Sequence, residues 1–245
     1  MLLCISSVVF AFACSPAPAM DGDRAFLAAW QPDSTYLREF SSDDEIEAHR
    51  KQFCATILNW FECSRAIEAT QFRSYPGVNR VESRLMLPIQ DGSIVVLADS
   101  FASSAESVGH SFIRVIEELD AYLVELHYRE GGEFLLVSRR TARQTKIDAP
   151  PAVSPDRGRL ATASWDIGAG YDPHRLRIYQ VSGDSLVLEW EVEPEHWSLV
   201  KTSWVNDSTL MVHRRRFPDD SLTPMPLPPA MLVKTRDGWR FRDDA

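Results

Sequence analysis

The chain lacks the short motifs that announce common chemistries. It holds no Gly-x-Ser-x-Gly elbow, no His-Glu-x-x-His, no Cys-x-x-Cys, no Walker loop and no Gly-x-Gly-x-x-Gly. Each absence removes the local scaffold for an activated serine, a zinc-bound water, a redox dithiol or a cradled phosphate. A triad assembled from distant residues remains open, because triads are defined by geometry and not by spacing. No cofactor is expected. Positive charge is also in deficit: 26 Lys and Arg stand against 35 Asp and Glu, a formal charge of −9 and a pI near 5.2. An acidic surface repels phosphate backbones and anionic lipid, so nucleic acid is not an expected partner.

Long apolar runs are missing except at the N-terminus, MLLCISSVVFAFACSPAPAM. That run of roughly a dozen residues falls short of the about 20 that a membrane-spanning helix needs, and it has the length of a signal peptide. Ser15-Pro16-Ala17-Pro18 could not continue a buried helix. Residues 1–19 are therefore expected to be a leader, cleaved after Ala13 or after Ala19, and the chain to be exported. Cleavage after Ala13 would leave Cys14 first, which resembles a bacterial lipoprotein signal, with Ala11 standing where such signals usually carry leucine. Membrane contact is expected only through such a lipid anchor or an uncleaved leader.

Only four cysteines are present. With the leader removed or Cys14 lipidated, Cys54 and Cys63 remain, and an even pair in an exported protein points to a disulfide. Nine residues of straight helix rise about 13.5 Å, whereas a disulfide tolerates about 7 Å between Cα atoms. Either a helix break lies between the two cysteines or both thiols are free and buried.

What is there reads as a soluble globular chain: 245 residues, 44% hydrophobic and 25% charged, enough for one large or two small domains. Residues 21–70 read as helical. Phe26, Leu27 and Trp30 fall at helical spacing, Ser42-Asp43-Asp44-Glu45 fits a capping box, and Ile46, Phe53, Ile57, Leu58 and Phe61 form one apolar stripe. Residues 78–245 read as strands. Val81–Ile89 and Ser93–Ala98 flank an Asp91-Gly92 turn, a strong hairpin signal, and Ser100–His110 reads as a loop.

Three similar units follow. Their strands are Tyr122–Tyr128, Phe134–Arg139 and Gln144–Ile147, then Arg159–Trp165, Arg175–Val181 and Leu186–Val192, then Thr209–Arg215, Ala230–Thr235 and Trp239–Phe241. Leu123, Leu160 and Leu210 occupy matching places, and the loop after the first strand lengthens from unit to unit, as repeats tolerate on one edge.

Ser154-Pro155-Asp156-Arg157-Gly158-Arg159-Leu160-Ala161-Thr162-Ala163-Ser164, with Leu176-Arg177-Ile178-Tyr179 after it, resembles a blade of WD40- or TolB-like β-propellers, whose blades open on a Ser-Pro-Asp-Gly-type turn. The resemblance covers one unit well and two loosely, from about Ser111 to Phe241. Arg157-Gly158 carries one residue more than that motif, no Gly-His opens a unit, and no Trp-Asp closes one. The chain also resembles a group of secreted bacterial proteins that share its Glu-Gly-Gly-Glu-Phe and Ala-Gly-Tyr-Asp-Pro loops, a likeness that brings no activity with it.

Candidate chemistry is sparse. Asp166 and Asp172, six apart with glycines between and His174 beyond, could curl round a hard cation such as Ca²⁺. The loop lacks the dense oxygen ligands of an EF-hand, and Gly168 and Gly170 equally suit a wide turn whose amides the two aspartates bond. Metal is not the expected reading. Arg139, Arg140 and Arg143, and Arg214–Arg216, could hold a carboxylate or phosphate by bidentate contacts, or simply guard strand ends. The six histidines do not cluster by spacing. Of the seven tryptophans, Trp165, Trp190, Trp197, Trp204 and Trp239 lie in or beside expected strands, where they fit gaps between sheets or could form a sugar-stacking platform.

The expectation is a mainly β fold, a propeller-like array of small antiparallel sheets with an N-terminal helical segment. Its expected role is a non-catalytic module of the bacterial envelope that meets an unknown protein partner through loops on one edge. The alternative is an exported hydrolase or ligand-binding protein using Asp166, Asp172, His174 and Arg140.

Overall fold

The computed structural model describes residues 60–100, 107–164, 171, 173–216 and 225–242. Within them lie one α-helix, α1 (Trp60–Gln71), and fifteen strands. Cys63, Ala66, Ile67 and Thr70 form the buried stripe of α1 at the i, i+3, i+4, i+7 spacing of a helix face. Ser64, Arg65, Glu68 and Gln71 are buried as well, so almost the whole circumference of α1 is enclosed. Of the stripe Ile46–Phe61 only Phe61 is described; the capping box, Cys14 and Cys54 lie outside the described residues. Cys63 is disulfide-bonded, to a partner outside them. Among the described residues no helix is long and apolar enough to cross a membrane.

The strands form four antiparallel sheets that follow one another along the chain. The first holds β1 (Asn79–Val81), β2 (Arg84–Pro88) and β3 (Ile94–Ala98). The second holds β4 (Val108–Ile116), β5 (Ala121–Tyr128), β6 (Gly132–Ser138) and β7 (Gln144–Ile147). The third is β8 (Pro151–Val153), β9 (Arg159–Ser164), β10 (Arg175–Ser182) and β11 (Ser185–Val192). The fourth is β12 (Ser198–Asn206), β13 (Thr209–Arg216), β14 (Met225–Thr235) and β15 (Gly238–Arg242). Every sheet is a meander in which each strand pairs with its neighbours in sequence. The mainly β expectation holds at that level: four antiparallel sheets and one short helix, without closure into a propeller or barrel among the described residues.

Three strand expectations are corrected. Val81–Ile89 is two strands, because Glu82 turns the chain with φ of 55°. Ser100–His110 is not all loop, since its last residues open β4. Each later unit has four strands where the sequence shows three. The extra strand comes first each time (β4, β8, β12), and each hides for its own reason. β4 is buried on both faces and shows no alternation. β8 has three residues. β12 carries register shifts at Leu199/Lys201 and Trp204/Asn206 that break its period of two.

Leu85, Leu87 and Leu97 of the first sheet pack on Phe112, Tyr122, Val124 and Val137 of the second. Leu176 and Ile178 of the third meet Leu199, Leu210, Val212, Leu232 and Trp239 of the fourth. Trp204 and Trp239 meet edge to face, centroids 5.8 Å apart, and the Trp204 Nε1–H donates to the Ala152 carbonyl at 2.9 Å. Trp204 and Trp239 thus pack between the third and fourth sheets.

Candidate functional site

In a meander, the first and third turns fall on one edge and the second turn falls on the other. Here the first and third turns of the four-stranded sheets join the β2–β3 turn of the first sheet in a continuous rim. The Gln90 amide donates to the Arg139 carbonyl at 2.8 Å, and Gln90 Nε2 donates to Asp120 at 2.7 Å, tying the first sheet to the second. The Thr141 hydroxyl donates to Asp184 and Arg143 to the Ser185 hydroxyl at 2.7 Å, tying the second to the third. The Asp156 amide donates to Asp207 at 2.9 Å, tying the third to the fourth.

Four of these turns frame a cleft of about 320 Å³ between the second and third sheets. Glu117, Glu118, Asp120, Arg140, Arg157 and Asp184 surround its mouth. A narrow apolar floor of Leu119, Leu136, Val181 and Leu186 lies beside it.

Local sequence builds each wall. Glu117–Leu119 makes one turn of 3-10 helix, ended by Asp120 in the left-handed region (φ 47°, ψ 51°). After β6, the Ser138 hydroxyl accepts the Arg140 and Thr141 amides at 3.3 and 3.2 Å, which aims Arg140 off the strand end. After β8, the Ser154 hydroxyl donates to Asp156 at 2.6 Å and accepts the Arg159 amide at 2.9 Å. The residue by which this turn exceeds Ser-Pro-Asp-Gly is the one that turns left-handed: Arg157 has φ of 59°. After β10, Gly183 supplies φ of 63°, a value that costs glycine little.

The charges of the cleft differ in how far they are committed. Arg139 lies 3.3 Å from Glu117 and 3.4 Å from Asp120. The Thr141 hydroxyl bonded to Asp184 holds that carboxyl below its usual value. Arg140, Arg157 and Glu118 are exposed; their side chains make no hydrogen bond among the described residues, while the charge of Arg140 helps to hold the Asp184 carboxyl down.

The other candidate residues do not join this cleft. His174 stands at the opposite edge, before β10, where its Nε2 lies 3.1 Å from the Trp197 carbonyl and its buried Nδ1 has no partner among the described residues. The eight residues of β10 separate it from the rim by roughly 26 Å at about 3.3 Å per residue. Asp166 and Asp172 lie outside the described residues. The structure therefore does not bring Arg140 and His174 together. Arg214 is used locally, donating to the Pro228 carbonyl at 3.1 Å.

Two other polar clusters merit chemical scrutiny. His127 Nε2 is 3.1 Å from the Ser111 hydroxyl and 3.6 Å from Glu125. Ser111 is 0% exposed, and Glu125 approaches the same ring nitrogen of His127 as the serine does, whereas a serine–histidine–acid relay holds the acid on the other nitrogen. The second cluster joins α1 to the first two sheets. Glu68 accepts from Arg65 at 3.1 Å, from Arg80 at 2.7 and 2.9 Å and from the Phe112 amide at 2.7 Å. Asp99 accepts from Arg65, from Arg80 at 3.2 Å and from the His110 amide at 2.8 Å. Burial pushes the Glu68 carboxyl up from 4.5 to about 8, against the pull of Arg65 and the Phe112 amide. Glu68 and Asp99 are 2% and 1% exposed, so no ligand reaches them and the cluster fastens the helix.

Sequence reasoning singled out Arg140, and it marked Arg157 only as the surplus residue of its turn. Glu118 carried no signal. Among the described residues no group of His, Cys, Asp or Glu is arranged to hold a metal ion. No protein-family model matches the chain, and no curated protein matches it.

Proposed function

We propose that this chain is an exported, non-catalytic β-repeat module of the bacterial envelope that holds a protein partner by its turn edge. The observation that carries this reading is the rim itself. Turns from all four sheets are hydrogen-bonded into one edge, and that edge carries a cleft with exposed charged side chains at its mouth. Rigid turns on a packed sheet scaffold are where binding residues concentrate. Four consecutive meanders also support a propeller-like array of the kind the WD40- and TolB-like resemblance implies. The leader-like residues 1–19 support export, and the Cys63 disulfide supports an oxidising compartment.

The test is recovery of partners from envelope extract on immobilised wild-type chain and on Glu118→Lys, a substitution at an exposed and unpaired position. A specific protein retained by the wild type and depleted at least fivefold by the variant is the expected result. Absence of any specific partner, together with turnover of a small substrate, would overturn the reading.

A further inference from the structure

We infer that the outward face of the first sheet, β1–β3, is a self-association surface, on which a second copy of this chain packs its own first sheet face to face. The cleft lies between the second and third sheets, so this surface is a separate one and does not rest on the turn edge binding a partner.

Strand register defines the face. Arg84 stands opposite Val81 and Ala98, Met86 opposite Asn79 and Val96, and Pro88 opposite Ile94, so these side chains share one side of the sheet. Leu85, Leu87 and Leu97 take the other side and pack on the second sheet. Val81, Ile94 and Val96 are 56%, 54% and 47% exposed, and Met86 and Pro88 are only partly covered. Asn79 and Arg84 are the polar residues of this face; the rest of it is apolar.

An antiparallel sheet with one solvated face alternates apolar and polar residues, whereas a strand covered on both faces reads as a continuous apolar run. Leu85-Met86-Leu87-Pro88 and Ile94-Val95-Val96-Leu97-Ala98 are runs of the second kind, yet among the described residues only one of their faces is covered. The fourth sheet shows how this chain dresses a face that meets water. On the side away from Leu210, Leu232 and Trp239 it carries Lys201, Ser203, Arg240 and Arg242, all exposed. Nor do exposed apolar residues elsewhere make such a face: Val187 and Leu188 are consecutive in β11 and point to opposite sides.

The composition of the face selects a second copy as its occupant. Interfaces between identical subunits are more apolar than those of transient partners and resemble a core cut in half. The chain carries a formal charge of −9, so two copies repel at long range and meet at least cost where charge is sparse. Arg84, the charged residue of the face, begins β2 and Pro88 ends it. A two-fold axis running across the strands lays each Arg84 over the far end of the other sheet, which keeps the two guanidiniums apart. With Val81, Ile94 and Val96 half exposed, the face offers about 500 Å² per copy and the pair buries roughly 1,000 Å², the lower bound for a specific interface. The dimer is therefore weak and reversible.

Sedimentation equilibrium of the full chain, from low micromolar to near-millimolar concentration, tests the assignment. The mass should climb from that of one chain toward twice that value and stop there. Ile94→Lys/Val96→Lys should weaken association at least tenfold and leave the near-ultraviolet spectrum unchanged, since both side chains are exposed. The milder Ile94→Thr/Val96→Thr, which keeps strand propensity, should weaken it in the same direction. Val187→Lys/Leu188→Lys on β11 should pair as the wild type does. Added salt should tighten the pair, because it screens the repulsion between like-charged copies. A chain that stays monomeric throughout, growth beyond the dimer, association that salt weakens, or a dimer indifferent to both variants of Ile94 and Val96 would each overturn the inference. If the chain stays monomeric and the thiol of Val96→Cys is shielded from an aqueous maleimide, another part of the same chain covers the face and the second copy is ruled out.

Discussion

At Glu68 one carboxyl joins the helix to the sheets, accepting from Arg65 of α1, Arg80 of β1 and the Phe112 amide of β4. Burial raises the carboxyl to about 8 from a usual 4.5, so between those values the folded chain holds a proton that the unfolded chain has released. The stabilisation is complete below pH 4.5 and is lost as pH rises through about 8. The unfolding midpoint should therefore fall between pH 5 and pH 8 in thermal scans, and Glu68→Gln should flatten that slope. A midpoint that rises over this range would mean that the paired acids outweigh Glu68. Removing a guanidinium is harsher. Arg80→Ala leaves Asp99, 1% exposed, with one arginine fewer and should cost about 3–5 kcal/mol in chemical denaturation. Arg157 works in the other direction. Relieving its left-handed backbone (φ 59°) with Arg157→Gly should raise stability by about 0.5–1 kcal/mol in chemical denaturation.

At the level of elements, the sequence was most readable where local chemistry decides. The Asp91-Gly92 hairpin forms with Gly92 at φ of 88° and Asp91 accepting the Ser93 amide at 2.8 Å. Gly92→Ala should cost about 1 kcal/mol by denaturation, with no clash to blame, since nothing lies within 4 Å of the added Cβ. Strands whose identity comes from both faces were unreadable. The apolar run of β4 is enclosed by α1 on one side and by sheet packing on the other, which no periodicity encodes. The candidate site shows the same division. Ser138, Ser154 and Asp156 could be read as turn makers from their types alone. That Thr141 would meet Asp184 across 43 residues, or Asp156 meet Asp207 across 51, follows only from how sheets stack. The same limit explains why Arg140 and His174, both plausible ligand holders, end on opposite edges of the fold.

For the molecule as a whole, the row of meanders sets how it comes apart. Among the described residues every strand pairs with a strand adjacent in sequence, and no sheet is clasped by a distant segment of chain. Pulled by its ends, such a chain is loaded like a zipper: the hydrogen bonds of an outer strand yield one after another instead of shearing together. The fourth sheet, β12–β15, spans residues 198–242 and would release roughly 150 Å of extended chain at about 3.4 Å per residue. Single-molecule extension should show steps of that size at low force. A chain built this way lengthens under load sheet by sheet, and rewinds each sheet from its own turns when the load is gone.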